Sequence, residues 1–163
     1  VKRSKKVKLS AEDFSRLLGK PHTDNDVNSL TLSLGIKNQD IRLKRGEYSV
    51  NFTVYPSGVE LVFSDPADFL TAETLKEGVL IFSTVFFYGD SRHEYTEFKG
   101  TLPADLAFTL PRNKVRQILG STEFSSPILP IDRWKWRKLK LAIDFTEDES
   151  QIASISVGYP KTD

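Results

Sequence analysis

One helical phrase occurs twice in this chain. Leu9, Phe14, Leu17, Leu18 and Gly19 recur as Leu110, Val115, Ile118, Leu119 and Gly120 at one constant offset. Each copy is followed by polar, turn-rich sequence and then by alternating apolar residues, the period-two signal of half-buried strands. The repetition predicts an α+β fold made of two related helix-then-antiparallel-sheet units. The units form one twisted sheet with helices packed on one face. The division expected is a basic tail at 1–8, a first unit at 9–78 and a second at 79–163, with the helices at 11–18 and 112–119 in equivalent places.

Local signals fill in this frame. Ser10 reads as an N-cap with Asp13 in the first turn. Gly19 and Pro21 end that helix after about two turns. Leu30, Leu32 and Leu34 alternate with Thr31 and Ser33, which predicts a strand. Tyr48 to Val54 and Val59 to Phe63 flank Pro56-Ser57-Gly58 as a hairpin, closed by Asp65-Pro66. A short helix is expected over 67–78, a central strand over 79–88, an edge strand over 95–99 and a little strand over 106–109. Trp134 and Trp136 share one face of a short strand, with Arg133, Lys135 and Arg137 on the other. The apolar phase then shifts to Leu139, Leu141, Ile143 and Phe145, so a bulge or tight turn at Arg137-Lys138 is needed to restore one face. Ile152 to Val157 completes the sheet.

Composition narrows the function. At 163 residues, 28% charged and 39% hydrophobic, the chain suits one domain or two small fused lobes with a real core. Its formal charge of +1 excludes a whole-molecule basic field for nucleic acid. Lys2, Arg3, Lys5, Lys6 and Lys8 concentrate charge in the first eight residues, which reads as a solvated tail. No run approaches the roughly 18 apolar residues of a membrane span, so no membrane partner is expected. The basic start has no apolar stretch behind it, and a cytoplasmic location is the expectation. Cysteine is absent, which removes disulfides, thiolate metal sites and a cysteine nucleophile.

Nothing in the motifs points to an enzyme, and no catalytic residue, cofactor or metal is expected. His22 and His93 lie in different polar loops without a carboxylate at ligand spacing. There is no nucleophile elbow, phosphate-cradling glycine loop or dinucleotide fingerprint. Asp65 with Asp68, and Glu147-Asp148-Glu149, are the acidic pairs available to a hydrolase, and turns favour such residues anyway.

The most distinctive chemistry is Arg133, Lys135 and Arg137 interleaved with Trp134 and Trp136. Such a mixture suits first a half-buried strand with one core tryptophan and a solvated basic face, then a protein interface, then a nucleic-acid surface. Around it, Phe86-Phe87-Tyr88, Lys99-Gly100-Thr101-Leu102-Pro103, Ile118-Leu119-Gly120, Asp132-Arg133-Trp134 and the strands at 139–145 and 152–157 resemble a family of small bacterial immunity proteins found beside polymorphic or secreted toxins. The doubled unit is also similar in outline to tandem-repeat β-lactamase inhibitor proteins, whose sheet grips another protein, although this chain lacks their cysteines. Both resemblances imply a non-enzymatic protein that binds a cognate toxin or effector protein and occludes its active site, with Arg133, Trp134, Lys135, Trp136 and Arg137 as partner-binding residues. The alternative is a nucleic-acid-binding module using the basic tail and the Trp134/Trp136 strand.

Overall fold

The computed structural model describes residues 8–69, 75–90 and 94–162. The chain folds as α+β. Seven strands form one antiparallel sheet: β1 (Ser49–Val54), β2 (Val59–Ser64), β3 (Ile81–Tyr88), β4 (Phe124–Ser125), β5 (Ile131–Trp136), β6 (Leu139–Phe145) and β7 (Ile152–Gly158). Their order is β1-β2-β3-β7-β6-β5-β4. A three-stranded meander, β1-β2-β3, and a four-stranded one, β4-β5-β6-β7, therefore run inward from opposite edges and meet where β3 pairs with β7. Helices α1 (Ala11–Ser15), α2 (Asn25–Ser33) and α3 (Arg112–Leu119) cover one face.

Alternation explains which face is covered. Residues directly opposite on neighbouring strands share a face. Phe52, Leu61, Val85, Val157, Leu141 and Trp134 follow one another across the sheet in register. Phe14 of α1, Val27 of α2 and Val115 of α3 are buried with them in a single core. The next row reads Thr53, Glu60, Phe86, Ser156, Ala142, Arg133 and Phe124. This row lies on the opposite face of the sheet, away from that core.

The strand expected at Leu30–Leu34 is instead the end of α2. Asp24 caps that helix, its carboxylate accepting from the backbone N–H of Asp26 and Val27 at 2.9 and 3.3 Å. Val27, Leu30 and Thr31 fall at helical spacing and are buried, whereas Leu32 is 57% exposed. The leucine alternation is thus incidental to a 3.6-residue period. No strand forms at 95–99. There Thr96 N–H donates to Tyr55 O and Phe98 N–H to Tyr88 O, so the segment ties the β1–β2 turn to the end of β3. At 106–109 one hydrogen bond, from Ile152 N–H to Phe108 O, stands in place of a strand. The helix expected over 67–78 is a 3-10 turn at Pro66–Asp68, and residues 70–74 lie outside the described residues.

The two copies of the helical phrase are anchored differently. Gly19 N–H donates to Phe82 O on β3, at the centre of the sheet. Gly120 O accepts from Trp134 Nε1 on β5, near the edge, at 3.1 Å. Gly19 also has φ of +86°, and a Cβ there would sit 2.5 Å from the Tyr159 ring, so the position admits only glycine. The first copy is consequently the more deeply buried: Leu18 is buried and Leu119 is half-buried. Leu18→Ala is expected to cost about 2–5 kcal/mol, the range for a buried leucine, and Leu119→Ala about 1 kcal/mol. Urea denaturation of both variants checks the ranking.

Candidate functional site

β5 and β6 join through a two-residue turn. Trp136 pairs with Leu139, and both residues between them, Arg137 and Lys138, have positive φ of 50° and 61°. This is the left-handed geometry that matches strand twist and normally selects Asn-Gly. The tight turn restores the apolar phase, placing Trp134 and Trp136 on the same side as Leu141 and Leu139. Two long cationic side chains hold the turn at a conformational cost of about 1–2 kcal/mol per residue. Replacing Arg137-Lys138 with Asn-Gly is therefore expected to stabilise the fold by about 1 kcal/mol after loss of the Arg137 contacts. Thermal unfolding reads that gain.

The five residues singled out by sequence divide among three environments. Trp134 is 3% exposed and belongs to the core, its indole N–H spent on Gly120 O. Its ring is therefore a packing element with no free face for a partner. Arg133 and Lys135 point to the opposite, open face. The Arg133 guanidinium lies 5.2 Å from the centre of the Phe124 ring, and Lys135 Nζ is 3.8 Å from Glu123. Lys135 stands directly across from Lys140, a like-charge pair that costs stability. Trp136 is half-buried at the rim, with Arg137 stacked 4.7 Å from its ring centre. Arg137 also bonds Glu12 of α1 at 2.9 Å, closing a contact between the two ends of the chain's architecture.

Sequence reasoning missed the network beneath this surface. Asp132 is fully buried beside Trp134. Its carboxylate accepts from Arg112 Nε and Nη2 at 3.0 and 2.7 Å, from Arg116 Nε and Nη2 at 2.8 and 3.0 Å, and from Ser125 Oγ at 2.7 Å. Burial pushes its pKa up. The hydrogen bonds from Arg112, Arg116 and Ser125 overrule that and hold it well below the usual carboxylate range. Arg112 also pairs with Glu149 and lies 5.7 Å from the Phe145 ring centre. Together these contacts bind α3, β4 and the β6–β7 turn to β5 and fix the strand that carries the site. The readable signal was an i, i+4 arginine pair on a helix whose buried positions were otherwise apolar.

Of the acidic groups that suit a hydrolase, the Asp65, Asp148 and Glu149 carboxylates are engaged by neighbours. Asp65 caps Ala67 N–H at 2.9 Å. Asp148 accepts from Ser150 and Thr146, and these bonds lower its pKa to about 2, the Ser150 hydroxyl foremost. His22 is buried and its Nδ1 accepts from Leu80 N–H at 3.0 Å, while His93 lies outside the described residues. Among the described residues no group of three or more histidines and carboxylates is placed to hold a metal ion, and no helix is long and apolar enough to cross a membrane. A cleft of about 660 Å³ beside Phe14, Leu34 and Phe98 is lined by none of the five residues. No protein-family model, no curated protein and no solved structure matches the chain.

Proposed function

We propose that the chain is a non-enzymatic immunity protein, which binds a cognate bacterial toxin or effector protein and occludes its active site through the β5–β6 hairpin. The observation that carries this reading is the contrast between two tryptophans on one strand. Trp134 is sealed in the core, whereas Trp136 two residues on is only partly buried, packed against the edge of the core with a cation over its ring. Trp and Arg are the residue types that dominate protein hot spots. The hairpin is anchored on both sides, so little conformational entropy is lost on binding. Co-expression with the product of the adjoining reading frame tests the reading. Restored growth and a stable purified complex are the expected results. Toxicity that persists with no complex formed contradicts it.

A nucleic-acid-binding role is the second reading, supported by Arg133 and the facing Lys135–Lys140 pair on the open face. It is weakened by Trp134, whose buried ring offers no base a stacking surface. Of the basic tail at 1–8, residues 1–7 lie outside the described residues. Nucleic-acid binding loses affinity steeply and linearly in log salt. A protein interface with rim charges changes mainly its association rate.

A further inference from the structure

Beside the Trp136–Arg137 ridge lies a cleft of about 490 Å³ between α1 and the β5–β6 turn. Its charge is one-sided. Arg16, Arg137 and Lys138 line it, and Glu12 is the one carboxylate among its lining residues. Among the described residues Arg16 and Lys138 have no ion pair, and Arg137, stacked on Trp136, has an ion pair only with Glu12. That pair is exposed on both sides, with side chains 63% and 60% accessible, so exchanging Glu12 for another carboxylate costs little. Beneath the cations, Leu18, Leu139 and Tyr159 form an apolar floor, with Trp136 as one wall.

Strain converges on the same place. Of five non-glycine residues with positive φ, Arg137 and Lys138 line this cleft, and Ala104 and Asp105 (φ 54° and 53°) line a smaller one of about 260 Å³ on the other side of the same ridge. Both clefts share Trp136, Arg137 and Glu12. Backbone strain of this kind persists where the surroundings over-determine it and collects at binding sites.

We infer that this cleft takes a loop of the protein partner bearing a carboxylate next to an apolar side chain, an inference that rests on the partner-binding function proposed above. The carboxylate displaces Glu12 from Arg137 and is shared with Arg16 and Lys138. The apolar neighbour lies on Leu18, Leu139 and Tyr159. Glu12 acts as a placeholder, keeping Arg137 stacked on Trp136 until the partner arrives. The positive field supplies fast capture, and the aromatic wall slows dissociation.

Two probes test this on the full chain. The first is an unstructured Gly/Ser peptide with a single Glu-Leu-Glu triad, titrated by NMR beside its Gln-Leu-Gln counterpart and a single-stranded DNA oligomer. Shifts of Arg16, Lys138 and the Trp136 indole with the acidic peptide alone are expected, reduced about tenfold in affinity by Arg16→Glu. Lys138→Glu provides a second variant, and unchanged melting temperature shows that each remains folded. Equal shifts with the Gln peptide, or shifts scattered elsewhere, overturn the inference. A stronger localised response to DNA overturns it in favour of nucleic acid. The second probe is the protein product of the adjoining reading frame, as the proposed toxin. If it binds and Arg16→Glu weakens it about tenfold, the inference stands. If it binds and neither Arg16→Glu nor Trp136→Ala changes its affinity, the cleft is excluded while the immunity function survives. If it does not bind while the acidic peptide does, the immunity function fails and the cleft's chemistry stands.

Discussion

Asp132→Ala is expected to destabilise the protein by about 3–5 kcal/mol, because it leaves the buried Arg112 and its neighbour Arg116 without the carboxylate that neutralises both. The effect is specific to breaking the network from its centre. Arg116, which is more exposed, contributes less, so Arg116→Ala should cost under half as much. The acid limb of stability follows from the same group. A carboxylate whose folded pKa is depressed adds stability that is complete above its unfolded pKa, near 3.9, and is lost as pH falls toward the folded value. The wild type should therefore lose stability below about pH 4. Asp132→Asn, already weakened at pH 7, should lose less on acidification. Urea melts of both proteins at pH 7 and pH 3 provide the comparison.

Trp134→Ala carries the second large effect, about 3–5 kcal/mol from the cavity and the lost indole contact to Gly120. Trp136→Ala, half-buried at the rim, should cost about 1 kcal/mol. The pair separates packing from recognition within one strand. Denaturant midpoints with unchanged m-values show that both variants retain the same cooperative fold. Near-equal losses at the two positions would mean that Trp136 is a core residue and that the ridge has no free aromatic face.

How far the sequence foretold this arrangement varies by element. Helix α3 was legible to the residue, since Arg112–Leu119 carries a strong apolar stripe ending in Gly120. The hairpin turn at Arg137-Lys138 was legible from the phase shift alone, because a one-residue slip in a strand exposes its whole apolar set. Helix α2 was not, although Asp24 before Val27, Leu30 and Thr31 is a capped helical pattern. Three leucines at alternate positions imitate a strand when the cap is overlooked. The site was half legible. Its residue types stood out, but which tryptophan is buried depends on where Gly120 and Asp132 place the edge of the sheet. Glu12 and Arg16 were invisible as site residues, because their contact with Arg137 and the shared cleft is made only by folding the first helix onto a hairpin far along the chain. The strand order has the same character: local alternation predicts strands but not that the two meanders meet at β3 and β7.

The central claim is that Trp136 and Arg137 form the anchor for a protein partner while Trp134 serves only the fold. Calorimetric titration of the protein product of the adjoining reading frame, as the proposed partner, into wild type and Trp136→Ala, each shown to be folded, addresses it most directly. The predicted result is a loss of about 2 kcal/mol or more in binding, roughly 30-fold in Kd, with melting temperature little changed. Wild-type affinity retained in the folded Trp136→Ala variant would contradict the claim and move the interface off this hairpin.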